Sequence, residues 1–286
     1  TFFEEEVAMS AQRNSDSVPA ASSSSLQSAR LLVTDEFAAP PVILRVGDSV
    51  IGTLGNFSAS TGKAKSKKTF NVCAIVAAAM TGGTVLNYSA SLPPRKRRIL
   101  YVDTEQSRFH CKRVLCRILR LAGLPTDAHP PLLEFLCLRG YATKERLRKI
   151  EEAIYDLDNL GLVVIDGIRD LAHDINSPGE ATDLITKLMQ WTDERRIHIH
   201  TVLHLNKGDD NTRGHLGTEL NNKAETVLQI TKDDFERDIS SVAAMHIRDR
   251  DFEPFAFRIN ADGLPELVED YQLRQTTAAK SFDYAE

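Results

Sequence analysis

The chain has 286 residues, of which 42% are hydrophobic and 26% charged, and its net charge at pH 7 is −5. These values are typical of an ordinary globular protein and exclude a strongly basic one, so any nucleic-acid site has to be local or shared between subunits. No apolar run reaches the length of a membrane-spanning helix. The four cysteines lack the spacing of a disulfide framework or a metal site, which predicts reduced thiols in a cytoplasmic protein.

The beginning of the chain, residues 1–30, contains a glutamate run followed by serine- and alanine-rich sequence. Such a segment buries too little apolar surface to offset the entropy lost on ordering, so we predict a flexible tail. Residues 31–270 are expected to form one globular domain, and the polar residues 271–286 a second, loosely held tail.

A phosphate-binding pattern follows the first predicted strand, residues 51–60, and precedes an apolar helix at residues 69–80. The sequence Gly62–Thr69, GKAKSKKT, has the spacing of the P-loop, G-x-x-x-x-G-K-[ST]. In such a loop, backbone N–H groups and the positive end of the helix bind phosphate. Lys68 would reach the β- and γ-phosphates, and the Thr69 hydroxyl would ligate Mg²⁺. The rest of the predicted phosphate cradle is Gly62, Lys63, Ala64, Lys65, Ser66 and Lys67.

The loop departs from the pattern at Lys67, which stands where the second glycine belongs. A side chain there costs about 1 kcal/mol if φ has to be positive, although an added positive charge near the phosphates would offset this. Two interpretations therefore stay open, a nucleotide-binding loop of altered affinity and a lysine-rich, solvated loop. Lys63 and Lys65 are expected to be solvated or to steer phosphate rather than to take part in catalysis.

Downstream, strands and helices alternate. Further strands are predicted at residues 99–102, 132–138, 161–165, 197–203, 226–230, 242–247 and 255–259, and helices at 107–122, 143–157 and 180–196. Strands that are continuously apolar are buried on both faces, which indicates a parallel sheet between helices. The last strands have no helices between them. We therefore predict an α/β fold with a mostly parallel central sheet flanked by helices and an antiparallel C-terminal edge.

Polar residues stand at the ends of three predicted strands, where ligands bind in open α/β sheets. Asp166 follows the strand 161–165 and could hold Mg²⁺, and Glu105 lies just past the strand 99–102, where a carboxylate could polarise an attacking water. His204 and Asn206 follow the strand 197–203 and could contact a terminal phosphate. Taken singly, an aspartate such as Asp166 is more often a helix cap or turn former, and a histidine such as His204 more often a structural residue.

The order of Gly62–Thr69, Asp103–Glu105, Leu162–Asp166 and Val202–Lys207 resembles the RecA/DnaB-type P-loop ATPase superfamily. The resemblance is closest to the RepA-like hexameric replicative helicases of plasmids and mobile elements, and covers about residues 40–262. It implies a RecA-like P-loop NTPase fold and hydrolysis of ATP with Mg²⁺. By this resemblance Lys68 and Thr69 bind triphosphate and Mg²⁺, Glu105 is the catalytic base, Asp166 is the Walker B acid and His204 is a γ-phosphate sensor.

The segment His246–Arg250 resembles the basic pair by which such proteins reach a neighbouring subunit's site, a role implied first for Arg248 and next for Arg250. The alternative is two solvated arginines paired with Asp249 and Asp251. The resemblance implies a ring, such as a hexamer, acting as a helicase or translocase on single-stranded DNA in replication or mobilisation.

Channel loops of such a ring are predicted at residues 169–179 and 207–215. A regulatory or scaffold P-loop protein with little turnover remains an alternative, favoured by the net charge and the altered P-loop. A small-molecule kinase is a third alternative, but the sequence contains no recognisable site for a phosphate acceptor.

Overall fold

The computed structural model describes residues 26–27, 29–205, 214–269 and 271. The chain divides into two units, residues 1–39 and 40–286. In the first unit every described residue is exposed, including the apolar side chains of Leu31, Leu32, Val33 and Phe37. The predicted tails, residues 1–30 and 271–286, lie almost entirely outside the described ranges, so the predicted domain limits stay predictions.

The second unit alternates strands and helices as expected. Its strands are β1 (Val42–Val46), β2 (Ser49–Thr53), β3 (Phe57–Gly62), β4 (Thr84–Val85), β5 (Tyr88–Ala90), β6 (Arg98–Asp103), β7 (Leu133–Cys137), β8 (Leu160–Asp166), β9 (His198–His204), β10 (Thr226–Lys232), β11 (Ile239–Ile247), β12 (Phe255–Ile259) and β13 (Pro265–Val268). Its helices are α1 (Lys68–Thr81), α2 (Arg108–Leu121), α3 (Thr143–Asp156), α4 (Pro178–Arg195) and α5 (Gly214–Lys223), with 3₁₀ turns at Pro94–Lys96 and Ile168–Leu171.

The main sheet of the described residues has nine strands in the order β13-β12-β11-β10-β3-β9-β8-β6-β7. The pairs from β10 to β7 are parallel, and the pairs β10–β11, β11–β12 and β12–β13 are antiparallel. This arrangement confirms the predicted α/β fold with its antiparallel C-terminal edge.

Both faces of this sheet are covered, which explains the continuous apolar runs. Along β6, Ile99 and Tyr101 pack into a core shared with α1, whereas Leu100 and Val102 pack into a second core beneath α3 and α4. Alternate residues of a strand point to opposite faces, so a strand between two cores needs apolar side chains at every position. Among the described residues, no helix combines the length and the apolar character needed to span a membrane.

Some predicted elements were wrong. Residues 51–60 are not one strand, because a turn at Leu54–Asn56 with Gly55 at φ 90° separates β2 from β3. The two strands enter different sheets, β2 joining a small antiparallel sheet of order β2-β1-β5-β4 that the sequence did not reveal. Of the predicted loop 207–215, residues 207–213 lie outside the described ranges, and Gly214 and His215 begin α5 instead.

Candidate functional site

The register of the parallel strands brings the predicted groups to one edge of the sheet. Gly62 pairs with His204 across β3 and β9, and Asp166 pairs with Asp103 across β8 and β6. A cleft of about 360 Å³ opens at this edge. Predicted site residues that line it are Lys65, Lys67, Lys68, Thr69, Glu105, Asp166 and His204.

The P-loop backbone adopts the strained conformation expected at the departure from the pattern. Lys67 has φ 67° and ψ 29°, and Lys65 has φ 65°, so both lie in the left-handed region. Each costs about 1 kcal/mol relative to glycine. Gly62 is required for a different reason, because a Cβ there would lie 2.3 Å from the Ile230 carbonyl oxygen and 2.5 Å from the Ser66 hydroxyl. Ser66 is buried, whereas Lys63 and Ala64 are exposed.

Two lysines of the loop are held by carbonyl oxygens. The Lys68 ammonium donates to the carbonyls of Gly62 and Lys63, both at 2.8 Å, and closes the loop on itself. Burial lowers the pKa of Lys68 to about 8, against the charges of Asp166 and Glu105. The Lys67 ammonium donates to the carbonyl of Asp238, in the β10–β11 connection. For Lys68 to bind a triphosphate, its ammonium has to exchange these carbonyl oxygens for phosphate oxygens.

A hydroxyl and a carboxylate meet where Mg²⁺ was predicted. Asp166 Oδ2 accepts hydrogen bonds from the Thr69 hydroxyl and from the Tyr101 phenol, each at 2.9 Å. Burial, reinforced by the Asp103 charge, raises the pKa of Asp166 to about 6. Oxygen ligands of this kind fit Mg²⁺, which takes a few protein oxygens and completes its shell with water and phosphate. The described residues contain no group of three or more His, Cys, Asp or Glu that would hold a metal alone.

Glu105 faces His204 across the cleft, with 3.4 Å between Oε1 and Nε2. The hydrogen bond with His204 is the main reason why the pKa of Glu105 lies below its ordinary value. The carboxylate is therefore ionised at neutral pH, as a proton acceptor has to be. The Asp103 carboxylate has a structural role. It accepts hydrogen bonds from the backbone N–H groups of Glu105 and Gln106 at 3.0 and 2.7 Å, which fixes the loop after β6.

The loop carrying Glu105 is tied to the end of β8 by residues that the sequence analysis missed. The Thr104 hydroxyl donates to the Gly167 carbonyl at 2.8 Å. Gly167 has φ 102°, and a Cβ there would lie 2.2 Å from that hydroxyl and 2.9 Å from Glu105 Cγ. Glycine at this position therefore allows Thr104 and Glu105 to pack against the end of β8. A glycine directly after the aspartate that ends a predicted strand was the available signal.

Two arginines of α2 were also missed. Arg113 and Arg117 line the cleft, and the Arg117 guanidinium lies 3.8 Å above the Phe70 ring. Their spacing of four residues places them on one face of the helix. This spacing is visible in the sequence, but it is also common on solvated helices and therefore did not indicate a site.

Arg248 is not in the cleft of its own chain. It follows β11, whose Ile247 pairs with Thr226 at the start of β10, and therefore lies at the opposite, amino-terminal edge of the parallel strands. It is exposed, and its guanidinium donates to the Lys223 carbonyl at 3.2 Å. The Asp249 carboxylate accepts from the Val50 N–H at 2.7 Å. A role for Arg248 in a neighbouring subunit stays a prediction.

The predicted phosphate-contacting segment is described only in part. His204 lies in the cleft, whereas Asn206 and Lys207 lie outside the described residues. The predicted channel loop 169–179 includes most of the 3₁₀ turn Ile168–Leu171 and the first residues of α4.

Comparisons with known proteins agree with this geometry. A family model described as an AAA domain matches residues 22–210, more than half of the chain. Among solved structures, the RadB recombinase is similar with a TM-score of 0.50 and 16% identity, over 73% of this chain and 90% of that chain, a likeness that shows the fold alone. No curated protein sequence matches the chain significantly. The chain belongs to the AAA domain family, and its RecA-like fold and P-loop are those of the P-loop ATPase superfamily.

Proposed function

We propose that this protein hydrolyses ATP with Mg²⁺ and works as a ring-forming motor on single-stranded nucleic acid. The observation that carries the proposal is the contact of Thr69 with Asp166 at 2.9 Å, with Glu105 facing the same cleft. A hydroxyl that opens the P-loop helix and a strand-end carboxylate are the pair that holds Mg²⁺ in P-loop ATPases. The finer likeness, to RepA-like helicases, rests on the sequence pattern.

Five residues of the cleft have roles in this proposal. Lys68 exchanges the carbonyls of Gly62 and Lys63 for the β- and γ-phosphates. Thr69 and Asp166 would hold Mg²⁺, which when bound would supply positive charge next to the phosphate oxygens. Glu105 accepts the proton of the attacking water. His204 exchanges its contact with Glu105 for a γ-phosphate oxygen, which frees the carboxylate only when ATP is bound.

The ring is proposed from the position of Arg248. Arg248 is exposed at the edge of the sheet opposite the P-loop and does not line the cleft of its own chain, which supports a role at the cleft of another subunit. Such an arginine stabilises charge on the transferring phosphoryl group. We place the ATPase domain at residues 31–270 of a cytoplasmic protein, in a ring such as a hexamer.

The test is ATP turnover measured with and without single-stranded DNA. The proposal expects Mg²⁺-dependent turnover that rises when DNA is added. The second candidate is a regulatory protein that binds ATP with little turnover. It is favoured by the strained Lys67 and by Lys68, which closes the loop on itself. Saturable ATP binding without turnover, with or without DNA, would support this second candidate and contradict the motor.

A further inference from the structure

A basic surface lies at the amino-terminal edge of the main sheet, away from the ATP cleft. It joins two segments about a hundred residues apart, because the Lys96 ammonium donates to the Arg195 carbonyl at 2.5 Å. We call it the basic patch and define it as Arg95, Lys96, Arg97, Arg98, Arg195 and Arg196. In a chain of net charge −5, this local concentration of positive charge is unusual.

The patch is rigid. Arg95 and Lys96 belong to the 3₁₀ turn Pro94–Lys96, which follows Pro93 and is closed by a hydrogen bond from Lys96 N–H to the Pro93 carbonyl at 2.8 Å. The turn packs so tightly on β8 that a Cβ at Gly161 would lie 1.8 Å from the Lys96 carbonyl oxygen. The side chains are therefore presented from a fixed backbone, which lowers the entropy lost on binding.

The charges of the patch are poorly compensated. In the described part of the chain, Arg95, Arg97 and Arg98 form no ion pair with a carboxylate, and Arg196 has one with Asp193 at 3.7 Å. Burial lowers the pKa of Lys96, and the neighbouring charges of Arg195 and Arg196 lower it further. Like charges held together in this way destabilise the fold, and an anion bound among them would relieve the repulsion.

An aromatic side chain beside the patch favours one class of anion. Tyr155 is 41% exposed, its ring lies 5.8 Å from the Arg195 guanidinium carbon, and its hydroxyl donates to Glu194. Arginines bind phosphodiester oxygens through bidentate hydrogen bonds, and an exposed aromatic ring stacks on an unpaired base. An anionic lipid surface also attracts basic side chains, but it offers no unpaired base to stack on the exposed ring. The combination fits single-stranded nucleic acid.

We propose that the basic patch and Tyr155 bind single-stranded nucleic acid, its phosphodiester backbone on the arginines and a base on the tyrosine ring. The patch is distinct from the ATP cleft, because β6 begins at Arg98 and ends at the cleft about 17 Å away. The choice of partner rests on the proposed function, but the binding itself requires no ATP.

The test is the binding of labelled oligothymidylate to the full chain without nucleotide, as a function of salt. The double variant R95Q/R97Q removes two exposed charges, so the slope of log affinity against log salt should fall by about 1.4, at about 0.7 for each phosphate contact on a single strand. The matched control R148Q/R258Q makes the same change in net charge at exposed arginines outside the patch, which pair with Glu152 and Glu266. It should leave the slope unchanged.

Tyr155 gives an independent readout. Y155A should weaken binding by about tenfold, the scale of one lost stacking contact, whereas Y155F should bind as the wild type does. Y141A, which removes another partly exposed tyrosine, is the matched control and should have no effect.

Equal losses in R95Q/R97Q and R148Q/R258Q, or binding of anionic phospholipid vesicles without binding of the oligonucleotide, would overturn the proposal. ATP turnover of R95Q/R97Q without DNA should equal that of wild type. A lack of turnover in the wild type would contradict the proposed function and leave the binding result intact.

Discussion

A buried chain of hydrogen bonds makes the stability of this protein sensitive to acid. His198 and His200 on β9 are fully buried, and the Ser58 hydroxyl bridges their rings at 2.7 and 2.8 Å. The His200 ring continues to Ser60 at 2.8 Å. Burial lowers the pKa of His198 to about 4 and that of His200 to about 3, so both rings are neutral in the folded chain at neutral pH.

The sign and size of the effect follow from linkage. An unfolded histidine has a pKa of about 6.5, so acidification from pH 7 to pH 5 protonates the unfolded chain and not the folded one. Each histidine then lowers the free energy of unfolding by about 2 kcal/mol. Asp166 acts in the opposite sense, because its raised pKa of about 6 lets the folded chain bind a proton first, and it restores about 1 kcal/mol. The expected net loss is about 2 to 3 kcal/mol.

The assay is urea unfolding at pH 7, 6 and 5, followed by the fluorescence of Trp191, which is the one tryptophan of the chain and is buried. H200Q is the informative variant, because an amide keeps hydrogen-bonding groups between Ser58 and Ser60 but cannot titrate. It should lose about 2 kcal/mol of that net pH dependence, which is most of it. A free energy of unfolding that is equal or higher at pH 5 than at pH 7 in the wild type would refute the reasoning.

The remaining predictions concern the cleft. K68A should abolish the stabilisation by Mg-ATP in a thermal-shift titration, because it deletes the charge that pairs with the β- and γ-phosphates; a shift equal to that of wild type would refute the P-loop assignment. K67G should bind ATP as well as wild type or better, since glycine relieves the left-handed strain of about 1 kcal/mol; a large loss of affinity would mean that Lys67 contacts phosphate. E105Q should bind ATP normally and turn it over at least about a hundredfold more slowly in a steady-state assay, and unchanged turnover would assign the base elsewhere. R248A should bind ATP but not hydrolyse it, and mixing it with K68A subunits should restore turnover; an absence of rescue, with a rate independent of protein concentration, would contradict the ring.

Much of the fold could be predicted because both faces of the main sheet are covered. Strands such as β8 then read as unbroken apolar runs, which few other structures produce. The small sheet β2-β1-β5-β4 could not be predicted, since β4 and β5 have only two and three residues. The sequence analysis joined β2 and β3 into one strand because the turn between them gives a weak signal. The turn Leu54–Asn56 between them has one glycine, and its leucine continues the apolar pattern.

The candidate site divides in the same way. Lys68 and Thr69 could be predicted from the spacing of the P-loop. Glu105, Asp166 and His204 could be predicted because each stands at or just past the end of a strand, where the sequence alone indicates the edge of the sheet. Tyr101 lies within a strand, and its contact with Asp166 exists only because β6 and β8 are neighbours in a register that no local pattern specifies. The hydrogen bond from the Thr104 hydroxyl to the Gly167 carbonyl depends on the same register.

Lys67 shows how far the sequence could go at the one unusual position of the loop. The pattern located the missing glycine and implied strain, and the structure has that strain, with φ 67°. The sequence could not show what holds a strained lysine in place, because its ammonium donates to Asp238, 171 residues away. This contact ties the phosphate loop to the β10–β11 connection, as a glycine could not. Strain at an active site persists where surrounding contacts hold it, and here one such contact comes from the strained residue itself.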